Sequence, residues 1–170
     1  MLIIFALMIE TIFLTLISVC LGVVLLSLFM IYKEKTVVNS HLNSLKVPAN
    51  IYANLVIDWC LENLNSSSKK VPHLKISRRI TKNTLGAYRP YSNEIIIYIK
   101  KHITLLELTN TIIHEFVHST QNGKRFGTNY DAFNKSVGYL KNPFEIESRS
   151  IANSKDKECL MSLHHRFKIL

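Results

Sequence analysis

The chain has 170 residues, room for one compact domain and an appendage, with 48% hydrophobic residues and a formal net charge of +9. Its three cysteines, Cys20, Cys60 and Cys159, lack C-x-x-C spacing, which excludes a disulfide framework and fits a reducing compartment. The basic groups are scattered, with no dense basic-aromatic stripe, so nucleic acid is not the expected partner.

Residues 1–32 hold a single charged side chain, Glu10; the rest of the chain carries all 21 basic and 11 of the 12 acidic groups, a surplus of ten. Thr11 to Tyr32 is uncharged and rich in Leu, Ile, Val and Phe. At about 1.5 Å per residue its roughly 22 residues span a hydrocarbon core of about 30 Å. No basic residue precedes the run, and Lys33-Glu34-Lys35 follows it without a small-x-small cleavage site. That argues for an uncleaved transmembrane anchor over residues 1–35 rather than a removed signal. Lys33 and Lys35 put the C-terminal body on the cytoplasmic side by the positive-inside rule. Glu10 is expected at the outer interface, with residues 2–9 as a short interfacial segment; an intramembrane functional carboxylate is the alternative. The basic body beside such an anchor suits anionic lipid headgroups.

Residues 36–48 read as a polar connection. Pro48 then opens a helix over about 49–64, with Ile51, Leu55, Val56, Trp59 and Leu64 at three- and four-residue steps; Trp59 is expected to pack in the core. Residues 65–70 (Asn-Ser-Ser-Ser-Lys-Lys) form a loop. Strand candidates follow at 73–80, 85–88 and 94–100, the last (EIIIYIK) a β-branched run; Arg89 to Asn93 makes a turn. A small sheet thus leads into the next helix, and its edge could take up an extended peptide by strand addition.

That next helix carries His114-Glu115-Phe116-Val117-His118, an H-E-x-x-H sequence. Thr104 and Glu107 form a capping box at its start, and Asn122-Gly123 supplies a stop. Leu105, Leu108, Ile112 and Phe116 share one face, with Ile113 and Val117 on its flank. Glu107, Asn110, Thr111, His114, His118 and Gln121 share the other. Histidines four apart leave one face a turn apart and can grip a single Zn²⁺ ion, with Glu115 beside the metal as a general base.

A catalytic zinc needs a third protein ligand. His41, His73 and His102 lie upstream, and His164 and His165 near the C-terminus, with nothing to single one out. After Gly123 the chain passes Tyr130, Phe133 and Tyr139, as a short helix or a structured loop over the cleft. Pro143 opens a last helix bearing Glu145 and Glu147, whose side chains point about 200° apart; geometry leaves both open.

His114-Glu115-x-x-His118 followed by Glu145-Ile146-Glu147-Ser148-Arg149-Ser150-Ile151-Ala152 resembles the gluzincin pattern, an H-E-x-x-H with a glutamate on a later helix. The form E-x-x-(small)-x-x-x-A is similar to that of minimal and membrane-anchored gluzincins, though the small residue is often Ala and here is Ser148. Residues 85–121 also resemble the strand-then-helix core of SprT-like peptidases, whose later histidine ligand has no counterpart here. The resemblance implies Glu145 as ligand and an α+β, zincin-like domain over residues 49–170, with a small sheet packed on the active-site helix and a C-terminal helix. It further implies a membrane-anchored zinc metallopeptidase acting on protein or peptide. Tyr130, Tyr139 and Arg149 are candidate oxyanion stabilisers, and Asn110, Asn142 or a backbone carbonyl could orient an imidazole. The alternative is a basic, membrane-tethered binding module on the same scaffold, without hydrolysis.

Overall fold

The computed structural model describes residues 2–64, 70–121 and 126–170, and their side chains except at 2–13 and 127. The chain is α+β and divides into two compact units, Met1–Thr36 and Val37–Leu170. The first is almost entirely one helix, α1 (Leu2–Val38), whose last two residues belong to the second unit. Its stretch Leu14–Val38 is long and apolar enough to cross a membrane. Within it Ser27 Oγ donates to Val23 O and Thr36 Oγ1 to Tyr32 O, so these hydroxyls are satisfied inside their own helix. The Glu10 side chain and the stop at Asn122-Gly123 lie outside the described residues.

The second unit, the body, contains α2 (Ala49–Asn63), β1 (His73–Ser77), β2 (Gly86–Arg89), β3 (Glu94–Tyr98), α3 (Leu105–Gln121), α4 (Phe126–Val137) and α5 (Pro143–Phe167). The strands lie in the order β1-β3-β2, with β1 parallel and β2 antiparallel to β3. As the central strand, β3 is covered on both sides, and Ile95, Ile96 and Ile97 are all buried. That double burial is why EIIIY reads as a continuous apolar run rather than an alternating one. Two strands are shorter than the sequence suggested. β1 stops at Ser77, before Arg78-Arg79, and β3 ends at Tyr98 in a 3₁₀ turn over Ile99–Lys101.

α3 is the axis of the body. Its capping box forms, with Glu107 N donating to Thr104 Oγ1 and the Glu107 carboxylate accepting from Ile103 N. Leu105, Leu108, Ile112 and Phe116 are buried as their shared face requires, among residues of α2 and α5. The opposite face is partly covered: Thr111 and His118 are buried, while Glu107, Asn110, His114 and Gln121 keep some exposure. Trp59 is a core residue, and Cys60 and Cys159 are buried free thiols. The segment expected as a polar connection is tied to the body instead. Leu42 N donates to Ile103 O, Leu105 N to Ser40 O and Lys46 N to Ile169 O, while Leu42, Leu45 and Val47 pack on the core.

Asn142 caps α5, its Oδ1 accepting from Phe144 N, with Pro143 in the first turn. The helix then runs unbroken for 25 residues. Glu145 and Ser148 near its start face α3, and Cys159, Leu160 and Leu163 near its end lie in the core.

Candidate metal centre

The four-residue step between His114 and His118 brings their imidazoles together at the C-terminal half of α3. Their Nε2 atoms are 3.1 Å apart. The first turn of α5 adds Glu145, with Oε2 3.3 Å from His114 Nε2 and Oε1 3.3 Å from His118 Nε2. Donors held about 2.0–2.1 Å from a tetrahedral ion lie about 3.3 Å from one another, so this triangle has the edge lengths of a three-ligand face. Compared with known protein families, curated proteins and solved structures, the chain matches none. What the site can hold is read from its own chemistry.

Three observations fit a cation at the triangle. Glu145 Oε2 is buried and makes no hydrogen bond, a cost that a cation on its open side removes. Burial alone would raise the Glu145 carboxyl, but the adjacent His114 and His118 rings and the Tyr130 hydroxyl hold it well below the usual carboxylate range, so it is anionic. The third observation is the tautomer of His118. Its Nδ1 lies 2.8 Å from Gln121 Oε1 and 3.2 Å from Ser148 Oγ. Ser148 spends its own proton on Phe144 O, and Gln121 uses its amide N–H groups on Phe144 O and Glu147 Oε2. Both neighbours therefore accept and Nδ1 carries a proton, so in the neutral ring it is the Nε2 lone pair that faces the triangle.

Of the two glutamates left open by the sequence, Glu145 is the one that joins the imidazoles. Glu147 accepts from Gln121 and stands behind His118. The orienting role suggested for Asn110 and Asn142 falls elsewhere. Asn110 Nδ2 donates to Asn153 and Asp156, and Asn142 Nδ2 to Tyr130 O. Gln121, three residues after His118 on the same helix, was visible in the sequence as an i,i+3 neighbour. Gln121→Ala is expected to weaken metal binding about 10–100-fold, read by titration against a chromogenic chelator. The remaining histidines lie outside the cluster. His102 bonds to Tyr98 O and Thr111 Oγ1, and His41 Nδ1 accepts from Asn43 N; His73 and His165 are exposed.

Glu115 takes no place in the triangle. Burial raises its carboxyl above the ordinary range, partly offset by the two histidines. It sits under β2, where Leu85 O accepts from Tyr98 N. In that antiparallel register Leu85, Ala87 and Arg89 bond to β3, and the backbones of Gly86 and Tyr88 turn to the open edge. Tyr88 N–H bonds to Glu115. Gly86 passes so close that a Cβ there would lie 2.8 Å from Thr111 Cγ2 and 2.9 Å from Glu115 Cγ. Only glycine allows this approach. Gly86→Ala is expected to cost about 1–3 kcal/mol and to displace Glu115, seen as a lower denaturant midpoint and weaker activity.

The triangle and Glu115 open on a cleft of about 820 Å³ between β2 and the α4–α5 region. α4, expected as a short helix or a structured loop, is a helix, and it brings Phe126 onto His118 with ring centroids 5.2 Å apart. Sequence reasoning missed Phe126. Tyr130 Oη donates to Glu145 Oε1 at 2.6 Å. Arg149 donates from Nε to Glu145 O and from Nη2 to Leu140 O, and lies 5.7 Å from the Tyr139 ring centroid. Tyr139 is half exposed and lines the cleft. Burial and the Glu145 carboxylate push both phenols up, so each remains a proton donor.

Proposed function

We propose that the body is a zinc-dependent peptidase of gluzincin type, held at a membrane by α1 with its cleft on the cytoplasmic side. The observation that carries this reading is the triangle of His114, His118 and Glu145 with a second, hydrogen-bonded carboxylate, Glu115, next to it under an open strand edge. Two imidazoles and one carboxylate are a donor set suited to zinc.

A divalent ion bound there supplies Lewis acidity, polarising a peptide carbonyl and easing the deprotonation of water. The chain's own groups do the rest. An extended peptide adds to the edge of β2, where the backbone of Gly86 faces outward, and this fixes the scissile bond over Glu115. Glu115, made more basic by burial, takes the proton of the attacking water and returns it to the leaving amine. Tyr130 and Tyr139 both line the cleft and both lean on Glu145, and either phenol can donate to charge developing on the carbonyl oxygen, whereas Arg149 is committed to two backbone carbonyls. Gln121 and Ser148 hold His118 in its working tautomer throughout.

The test uses the full chain purified in detergent. It should retain zinc near one equivalent and cut an unfolded protein such as casein. A chelator should abolish cleavage, and zinc but not magnesium should restore it. Absence of zinc would sink the reading; zinc without turnover would make the body a tethered binding module.

A further inference from the structure

One corner of the body has an unbalanced surface that the cleft does not explain. Residues 75–107 contain seven cations, Lys75, Arg78, Arg79, Lys82, Arg89, Lys100 and Lys101, against two carboxylates, Glu94 and Glu107, the second of which accepts from Ile103 N. Glu94 is paired with Arg89. Ser77 and Tyr98 are register partners at the ends of the parallel strands β1 and β3, so residues 78–82 and 99–103 leave the sheet at the same end. Lys101 Nζ donates to Lys82 O across this corner at 3.0 Å. Arg78, Arg79, Lys82 and Lys100 are exposed and take no part in the ion pairs found among the described residues. The same two segments carry two strongly exposed aliphatic side chains, Ile80 at 75% and Ile103 at 62%.

The same corner receives the chain that follows α1. Leu42 N donates to Ile103 O, Leu105 N donates to Ser40 O, and His41 bridges to Thr104. Only residues 33–36 separate the apolar run ending at Tyr32 from Val37, which is buried in the body's core. Cations here therefore stay near any bilayer that holds α1, where the potential of anionic lipid decays over about 8 Å at physiological salt.

We propose that this corner docks on an anionic lipid surface, with Ile80 and Ile103 entering the headgroup–acyl boundary and Arg78, Arg79, Lys82 and Lys100 meeting headgroup phosphates and carboxylates. Cationic stems flanking bare aliphatic tips are what a membrane interface rewards. A polyanion such as RNA gives the two isoleucines nothing to bury against. The inference rests on α1 being embedded and is independent of the peptidase chemistry.

The experiment uses the full chain in vesicles of phosphatidylcholine, with or without phosphatidylserine, carrying acyl-brominated lipid as a quencher. Ile80→Trp and Ile103→Trp are made separately; the parent's one tryptophan, Trp59, is 3% exposed and sets the baseline. Each added indole should be blue-shifted and quenched by bromolipid when phosphatidylserine is present. Quenching should weaken in phosphatidylcholine alone, and Arg78→Glu with Arg79→Glu should return it to baseline. Solvent-like, unquenched emission from both positions, with the protein still resisting carbonate extraction, overturns the docking face. Protection by added RNA without bromolipid quenching overturns it in favour of a nucleic-acid surface. Release by carbonate removes the embedded anchor and the proposal with it, leaving the zinc and casein assays unaffected.

Discussion

Glu145→Ala is expected to strip zinc from the purified protein, while Glu147→Ala keeps it. Glu145 is the anionic member of the triangle, and its carboxylate is the group with an unsatisfied buried oxygen. Alanine leaves two imidazoles alone, a weaker and incomplete set. Since groups behind a ligand typically change affinity about 10–100-fold, loss of the ligand should exceed about 100-fold. Glu147 is linked to the site through Gln121, which retains Phe144 O as a partner, so its loss should stay within about tenfold. Zinc stoichiometry after dialysis against a competing chelator reads both. Equal retention by the two variants, or loss only at position 147, would show that the triangle is not the binding site.

Glu115→Gln should retain zinc and lose cleavage by about 10²–10⁴-fold, the usual scale of a general base. Glutamine has the same shape, and its carbonyl oxygen can still accept from Tyr88 N–H, so the fit under β2 survives. What disappears is a group able to take a proton. Casein cleavage per bound zinc isolates the chemical step from metal loading. Undiminished cutting would remove Glu115 from the mechanism and return the base to another group.

The parts of this structure legible in sequence are those whose physics is local. Thr104 and Glu107 announce the start of α3 because a capping box spans four residues. The 3.6-residue period then puts His114 and His118 on one side. Asn142 and Pro143 mark the start of α5 in the same way. Ile95 to Ile97 identify a strand by β-branching, although only the sheet order explains why none of them faces solvent. Glu145 against Glu147 could not be decided by period, because the answer depends on how α5 rolls against α3. Gly86 is an unremarked residue of a strand candidate until β2 is laid across Glu115. Ser148, which looked like a harmless departure from alanine, is a hydrogen-bond acceptor for His118. The packing of residues 36–48 on the body was not legible because short polar stretches show no period. Their role comes from backbone bonds to Ile103, Leu105 and Ile169, more than sixty residues away in sequence.

α5 carries its metal-facing carboxylate in the first turn and core side chains more than three turns later, all on one uninterrupted rod. Zinc bound at the proposed site would stabilise the folded chain by mass action, so the midpoint of thermal denaturation should rise with free zinc concentration. Scarcity of the ion would then govern how many copies survive in the cell, a control on abundance exercised by supply rather than by any inhibitor.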